Sequence, residues 1–285
     1  MITQDGGIAC DPNIRKSVAL LMESVPKAVS LTDLIALNYN QDFVTYDLFP
    51  VCLLIYLTLQ WFCNNFTHYD LHMGNVLLVP CPEPNEVFRF IVKTPAGASY
   101  IYSRYLPKII DYGRSFFSTI VPDGSVVSSA TIRDDLCIVD TRLPAGQCCR
   151  DQGVWLDTPL DASSGFVRSS VRNVSHDLRL MHGICQVLLT HTNINPLWGD
   201  IMRRLVYVTP TGTPEHADSQ SRNHIYNVRD LATYLQTVAA GNPNLIRVRQ
   251  GHAVFGTFIV QYDGSEQSYI YEGMDGIAHI PEPII

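Results

Sequence analysis

The longest apolar stretch of the chain lies in its first quarter and has the period of an α-helix. Within residues 42–64 apolar side chains recur every three or four positions, at Leu48, Val51, Cys52, Ile55, Leu59 and Phe62. This spacing predicts a long buried helix, with Pro50 either kinking it or beginning its regular part. The continuous apolar run 49–59 is too short to span a membrane, so we expect this helix to be buried within the protein.

Patterns typical of β-strands follow the helix. Residues 76–79 are all apolar and β-favouring, and they predict a strand. Two further runs, 87–93 and 99–105, flank a Pro-Ala-Gly turn and predict an inserted hairpin. A last pair, 254–262 and 267–272, alternates around an Asp-Gly pair and predicts a C-terminal hairpin.

Other helices and a strand complete the predicted elements. Residues 1–16 form a polar lead-in that we expect to be disordered, and 17–25 predict a short buried strand. Ser30 is placed to be the N-cap of a short helix over 30–35. Helical periods predict three more helices, over 175–189, 198–208 and 228–240. Helices together with antiparallel strand pairs predict an α+β fold.

Composition bounds the class of protein. The chain has 285 residues, 46% of them hydrophobic and 16% charged, which suits one large or two small domains with a substantial core. The net charge of −7 and the pI near 5.6 give no basic footprint for nucleic acid. We therefore expect no nucleic-acid partner.

Cysteine usage favours a reducing compartment. The eight cysteines include no C-x-x-C pair with a second half, so a zinc site is not supported, and the vicinal Cys148-Cys149 are expected to be free thiols. The N-terminus has no secretory signal pattern, so the glycosylation sequons at Asn65 and Asn173 are expected to be coincidental. We predict a soluble intracellular protein, cytoplasmic and without a membrane partner.

Three polar residues carry the candidate chemistry. Asp70 and Asn75 lie five positions apart on a predicted loop, and Asp111 follows a second predicted strand. Phosphoryl transfer needs positioning and charge neutralisation by metal ions with oxygen ligands, more than covalent help. Asp70 is the candidate base that accepts the proton of an acceptor hydroxyl, and Asn75 with Asp111 are candidate Mg²⁺ ligands. The alternative is that all three are ordinary turn residues at strand ends.

At these residues the chain resembles the protein-kinase-like superfamily. Residues 68–75, His-Tyr-Asp-Leu-His-Met-Gly-Asn, resemble the catalytic loop H-R-D-L-x-x-x-N, and 111–113, Asp-Tyr-Gly, resemble D-F-G. The form Asp-Leu-His-x-Gly-Asn is also similar to the loop of aminoglycoside and choline phosphotransferases, with His72 in place of a Lys. The resemblance implies ATP and Mg²⁺ as cofactors and adds His72 to the candidate catalytic residues.

The resemblance also implies an adenine site. Residues 22–26 would be the hinge, with Met22 as gatekeeper, the Glu23 carbonyl and the Val25 amide at the adenine edge, and Leu77 beneath the ring. A generic buried strand is the alternative interpretation of this segment.

Two supporting positions follow from the same resemblance. Asp177, in the predicted helix 175–189, would bond the backbone of the catalytic loop and hold His68 and Tyr69 in place. Its alternative role is a first-turn acidic residue favoured by the helix dipole. Tyr69 stands where regulated protein kinases carry an Arg that grips an activation-loop phosphate, so we expect no switching by such a phosphate.

The implied organisation is a mainly helical kinase-like C-terminal lobe over 17–205 with a C-terminal extension, 206–285. Residues 114–173 would be a long activation-like segment, without an Ala-Pro-Glu to close it. Residues 1–16 hold no Gly-rich loop or strand Lys, so we expect the chain to be a fragment, a product whose upper lobe is on a separate chain, or a kinase-derived protein that no longer catalyses.

The predicted function is transfer of the ATP γ-phosphate to a hydroxyl of protein Ser/Thr. Phosphorylation of a small hydroxyl compound and a non-catalytic, pseudokinase-like binding module are the alternatives. The expected partners are a nucleotide, the acceptor and a separate upper-lobe chain. Such chains occur in cells and in large DNA viruses, so the location would be the host cytoplasm if the source is viral.

Overall fold

A computed structural model describes residues 25, 27–38, 40–62, 65–94, 97–112, 115–120, 124–128, 154–155, 166–167, 172–191, 196–208, 214–215, 223–261, 271–272 and 278–279. Helices and sheets both contribute to this part of the chain, which confirms the α+β class. The predicted lead-in 1–16 and nearly all of the predicted strand 17–25 lie outside the described residues.

The helices, in chain order, are α1 (Leu31–Leu37), α2 (Gln41–Phe43), α3 (Phe49–Phe62), α4 (Arg179–Leu189), α5 (Pro196–Arg204) and α6 (Val228–Gly241). The strands are β1 (Val29–Ser30), β2 (Phe66–Thr67), β3 (Val76–Pro80), β4 (Glu86–Thr94), β5 (Gly97–Ser103), β6 (Tyr105–Ile109), β7 (Phe116–Ile120), β8 (Val126–Ser128), β9 (Val154–Trp155), β10 (Phe166–Val167), β11 (Tyr207–Val208), β12 (Pro214–Glu215), β13 (Ala253–Gln261), β14 (Tyr271–Glu272) and β15 (Ala278–His279).

The predicted long helix is present and lies at the centre of the molecule. A π-helical turn, Val44–Leu48, joins α2 to α3 immediately before Pro50. A proline lacks the N–H for the helical ladder and crowds the carbonyl one turn earlier, so the wider turn accommodates it. Nearly every described side chain of α3 from Phe49 to Leu59 is buried, because the helix packs against α6, β5 and β6.

By length and composition, Gln41–Gln60 could cross a membrane, but most of it is buried inside the protein. This is the pattern of the core helix of a soluble domain.

Ser30 caps α1 as predicted. Its side-chain oxygen accepts a hydrogen bond from the Asp33 backbone amide at 3.0 Å. The adjoining strand β1 pairs with β3, and β3 pairs with β6 in antiparallel register, so that Val76 faces Ile109. The strand predicted over 76–79 is therefore confirmed, and it joins the two motif segments directly.

The segment 114–173 opens with strands instead of the predicted loop. β7 pairs with β2, next to the predicted catalytic loop, and turns back into β8. Its residues Phe116, Phe117 and Ile120 are β-favouring, which explains the strand. Further along, β9 pairs with β10.

The inserted hairpin is confirmed, and the turn and most of the second strand of the predicted C-terminal hairpin, 262–270, lie outside the described residues. β4 and β5 pair in antiparallel fashion, whereas β13 runs parallel to β4 and completes a three-stranded sheet, β5-β4-β13. Phe258 explains this pairing, since its ring stacks on Phe90 at 5.0 Å and meets Phe88 edge-on at 5.6 Å. Within the described residues, β14 pairs with β15.

The described C-terminal residues pack onto the rest of the protein. The helix predicted over 198–208 ends at Arg204, and Leu205 bridges to Ile225, because the Val206-Tyr207-Val208 run favours extended backbone. α6 follows the prediction closely and lies against α3. Together with β13, this packing makes the region predicted as a C-terminal extension part of the central fold.

Candidate active site

The predicted catalytic loop, 68–75, connects β2 to β3 and is held by one buried carboxylate. Asp177 Oδ2 accepts the His68 backbone amide at 2.8 Å, and Asp177 Oδ1 accepts the Tyr69 amide at 3.1 Å. The predicted contact between Asp177 and the loop backbone is therefore present. Burial raises the pKa of Asp177 to about 7, although the His68 and Tyr69 amides lower it.

Tyr69 is fully buried in a left-handed backbone conformation, with φ of 64°. This conformation is unusual for a bulky residue and is retained where the surroundings impose it. The Tyr69 ring meets the buried His176 ring edge-on at 4.9 Å, and Asp177 holds its amide. Tyr69, which stands where regulated protein kinases carry an Arg, is therefore part of the core.

Sequence reasoning missed the second support of this loop, Tyr56 of α3. Its hydroxyl donates to the Asp177 carbonyl and accepts from the Met181 amide, both at 3.0 Å. A tyrosine in an otherwise apolar helix needs a polar partner for its hydroxyl, and this is the only sequence signal of the role. The central helix is thereby bonded to the segment that fixes the loop.

His68 connects the loop to the Asp111 segment. Its Nε2 lies 3.0 Å from the Ile110 carbonyl, and its Nδ1 accepts from the Asp70 amide at 3.3 Å. The ring is therefore the neutral Nε2–H tautomer, in agreement with a pKa lowered mainly by burial. Ser115, which sequence reasoning also missed, donates to the His68 carbonyl at 3.2 Å.

The three candidate catalytic and metal residues converge at the paired ends of β3 and β6. Asn75 Nδ2 donates to the Asp70 carbonyl at 2.8 Å, which fixes the two residues relative to each other. The Ile110 amide donates to the Asn75 carbonyl at 3.0 Å, which brings the next residue, Asp111, beside Asn75. The predicted constellation is thus one local unit.

Asp111 and Tyr112 lie on the open side of this unit. Asp111 is exposed and has a φ of 63°. The Tyr112 ring rests on His68 at 5.1 Å, and its hydroxyl donates to the Ile109 carbonyl at 3.0 Å. Tyr112 nevertheless remains 55% exposed, so the surface around Asp111 is accessible. Gly113 lies outside the described residues.

His72 is oriented by the loop backbone. Its Nδ1 accepts the Gly74 amide at 3.0 Å, so in the neutral ring the proton is on Nε2, which lies 4.0 Å from Asp70 Oδ1. The side chain is 59% exposed. The His72 side chain therefore presents an N–H donor to solvent, beside Asp70, the candidate base.

The oxygen ligands fit a magnesium ion that a nucleotide also binds. Among the described residues no three His, Cys, Asp or Glu side chains converge into a metal cage. Mg²⁺ in nucleotide sites uses one or two protein oxygens and completes its shell with phosphates and waters. The Asn75 amide nitrogen is engaged by the Asp70 carbonyl, so the Asn75 side-chain oxygen would be the atom that holds a metal. Asp111 follows Ile110, whose amide bonds the Asn75 backbone, and it is exposed.

The predicted adenine site is only partly described. Leu77 is half-buried on β3, where it faces Ser30 and Lys108 across the sheet. Val25 is half-buried in the turn before β1, and its carbonyl accepts from the Ala28 amide at 3.4 Å. Met22 and Glu23 lie outside the described residues.

The chain matches no protein-family model, no curated protein sequence and no solved structure.

Proposed function

We propose that this protein is a kinase-like phosphotransferase that moves the γ-phosphate of Mg·ATP to a hydroxyl, most readily that of protein Ser/Thr. The observation that carries the proposal is the convergence of Asp70, Asn75 and Asp111 through the two hydrogen bonds at Asn75. Two acidic residues and an asparagine held in this order along neighbouring backbone segments can supply one base and two oxygen ligands.

Each candidate residue has a separate role in the proposed reaction. Asp70 accepts the proton of the acceptor hydroxyl, and Asn75 with Asp111 would hold Mg²⁺ against the phosphates. The Nε2–H of His72, beside Asp70, is suited to donate to a phosphate oxygen. Asp177 and Tyr56 keep the loop in position. Mg²⁺ supplies neutralisation of the phosphate charge when it is bound.

The first test is metal-dependent nucleotide binding. Calorimetry with Mg²⁺ and a non-hydrolysable ATP analogue should lose its metal-dependent component in Asp111→Ala. The matched control is Glu83→Gln, which removes an exposed carboxylate away from the loop and should titrate as the wild type does. An unchanged titration of Asp111→Ala would exclude Asp111 as a ligand.

The second test is transfer itself. With an upper lobe supplied as a fused or separate chain, Asp70→Asn should lower transfer by about 10²–10⁴-fold while nucleotide binding is kept, because the general base is lost. A Ser/Thr peptide library should be phosphorylated in preference to aminoglycosides or choline. Activity of Asp70→Asn within a few-fold of wild type would contradict the assigned role of base.

A further inference from the structure

One face of the sheet β5-β4-β13 is buried, and the opposite face is partly exposed. Side chains of a strand alternate between faces, and the inner face joins the main core, with β5 lying against α3. The inner-face side chains are Phe88, Phe90, Val92, Ile101 and Phe258, all buried. Sheets normally bury a second apolar face under another layer.

The register of the three strands aligns apolar side chains across the partly exposed face. Tyr100 on β5, Ile91 on β4 and Ile259 on β13 form one row. Tyr100 is 50% exposed, and Val254, on the same face of β13, is 40% exposed. Ile91 and Ile259 are half-buried, and Val87, opposite Val254, is 3% exposed, so the accessible apolar part of this face is centred on the Tyr100 row. Exposed apolar side chains of this kind mark an interaction surface.

The charges on this face have one sign. Arg89 and Lys93 lie on the central strand, one on each side of Ile91, and no described outer-face position of the three strands is Asp or Glu. Arg89 Nε donates to Thr257 Oγ1 at 3.0 Å, which fixes the guanidinium and leaves its terminal nitrogens for a partner. A local excess of two positive charges on a chain of net charge −7 favours an acidic partner.

The dimensions of the face fit one helix. Three strands are about 10 Å across and Arg89 to Lys93 spans about 13 Å along the strand. An α-helix is about 10–12 Å in diameter, and residues seven positions apart lie on the same side of it, about 10.5 Å apart, a spacing that the long Arg and Lys side chains can reach. We propose that this face docks an acidic amphipathic helix of a partner protein, with its apolar stripe on Tyr100, Ile91 and Ile259 and two carboxylates seven residues apart at Arg89 and Lys93.

Two other occupants fit less well. A single-stranded nucleic acid needs a longer track of positive charge than two residues, and the acidic chain repels its phosphates. A symmetric contact with a second copy would bring Arg89 and Lys93 against the same residues of that copy, which places like charges together. An acidic helix satisfies the charges and the apolar row at once.

The probe for the test is a synthetic 16-residue helix. It carries a Leu stripe and, on the same side of the helix, two Glu residues seven positions apart, and its fluorescence anisotropy is measured against the full chain. We expect saturable, salt-sensitive binding that weakens at least tenfold in the double variant Arg89→Glu/Lys93→Glu. Arg203→Glu/Arg229→Glu makes the same charge change on the exposed sides of α5 and α6 and should bind as the wild type does.

Thermal unfolding of each variant verifies the fold, and Tyr100→Ser, at an exposed position, replaces the charge-reversal variant if that variant does not fold. The proposal is overturned if a scrambled peptide of the same composition binds equally well or if both double variants weaken binding alike. It is also overturned if a labelled single-stranded oligonucleotide binds more tightly than the helix. Self-association of the wild type in sedimentation, lost in Arg89→Glu/Lys93→Glu, would instead assign the face to a second copy.

Discussion

The absence of a side chain at Gly74 allows the His72 ring to lie close to the Gly74 backbone. A Cβ added at this position would lie 2.9 Å from His72 Cε1 and 3.1 Å from His72 Nδ1. The ring of His72 folds over the Gly74 backbone because nothing larger than hydrogen is there, and this closeness allows the Gly74 amide to bond Nδ1. The glycine therefore sets both the position and the tautomer of His72.

Replacing Gly74 with Ala should displace the His72 ring and break its bond with the amide. We expect the protein to stay folded, since the clash involves a 59% exposed side chain, and transfer to fall by about tenfold through loss of one phosphate contact worth about 1.4 kcal/mol. The kinetic measurement is transfer with an upper lobe supplied. Gly183→Ala is the control, since its Cβ would meet only Met73 at 3.9 Å. Equal rates for Gly74→Ala and wild type would exclude this role of Gly74.

Buried histidines should make the fold sensitive to acid. Burial lowers the pKa of His182 to about 4, with a further contribution from nearby Arg179, and burial also lowers the pKa of His68 and of His176. Between pH 6.5 and 4 the unfolded chain takes up protons that the folded chain does not. The free energy of unfolding therefore falls as the pH falls through this window.

The contribution of Asp177 to stability changes with pH in the opposite direction to that of the histidines. Its pKa is raised to about 7 by burial, so the folded carboxyl keeps a proton that the unfolded Asp loses above about pH 4. Its contribution to stability decreases as the pH rises from 4 to 7, and it partly offsets the histidines in the same range.

The substitution His182→Gln separates the pH-dependent contribution of His182 from that of Asp177. The wild type should lose stability relative to His182→Gln as the pH falls from 6.5 to 4, because only the wild type has this titrating group. Urea unfolding of both proteins across this range is the measurement, and the exposed His191→Gln is the control. A constant difference between wild type and His182→Gln at all pH values would contradict the assignment.

The hydroxyl residues of the two glycosylation sequons are buried. Thr67 and Ser175, their hydroxyl residues, are each 1% exposed. Thr67 Oγ1 donates to the Asn173 carbonyl at 3.1 Å, so the two sequons are packed against each other. Their burial supports the expectation that both matches are coincidental.

Among elements, one ion pair joins the central helix to the inserted hairpin. Arg104, between β5 and β6, meets Asp47 of the π-helical turn in a two-point contact, at 2.8 Å from Nε and 3.1 Å from Nη2. The Asp47 side chain is 2% exposed. Burial raises the pKa of Asp47, while the hydrogen bond and charge of Arg104 lower it, so the carboxylate depends on this partner.

Removing only the arginine should destabilise the protein strongly. Arg104→Met leaves a buried carboxylate without its ion pair, which costs about 3 kcal/mol, the low end for a buried pair because Arg104 is 34% exposed. The double variant Asp47→Leu/Arg104→Met removes both charges and should recover most of the loss. Denaturant midpoints of the three proteins give the comparison. A double variant less stable than Arg104→Met would show that packing dominates over charge at this junction.

At the scale of the whole molecule, the candidate nucleotide site is open. Leu77 would lie beneath the adenine and Asn75 with Asp111 would meet the metal, but Tyr112 beside them is 55% exposed. The chain contains no Gly-rich loop or strand Lys before the catalytic loop. An adenine ring bound at such an open site would keep part of its surface in water, which reduces the apolar area that binding buries.

We therefore expect residues 1–285 alone to bind Mg·ATP about a hundredfold or more weakly than a complete two-lobed kinase does. The missing Lys contact accounts for about 1.5–3 kcal/mol and each 1.4 kcal/mol is about tenfold in affinity. No autophosphorylation is expected. Calorimetry on the isolated chain measures this directly, and micromolar affinity would mean that another part of the chain covers the nucleotide.

Local sequence patterns were sufficient to predict several elements of the fold. The apolar period of 42–64, the run 76–79 and the turn between β4 and β5 each predict one element, and the helix, the strand and the hairpin are present. Local periodicity encodes which side of an element is buried, so these predictions need no knowledge of the partner. Asp70, Asn75 and Asp111 were predicted from their spacing and motifs, and the pairing of β3 with β6 brings the Asn75 and Asp111 segments together.

Which distant elements meet depends on the folded chain as a whole. β13 pairs with β4 although more than half the chain separates them. Tyr56 supports the catalytic loop from a helix that looks purely apolar in sequence. A strand pattern specifies a face and not a partner, and the aromatic packing of Phe258 on Phe88 and Phe90 selects the partner only when the chain is folded.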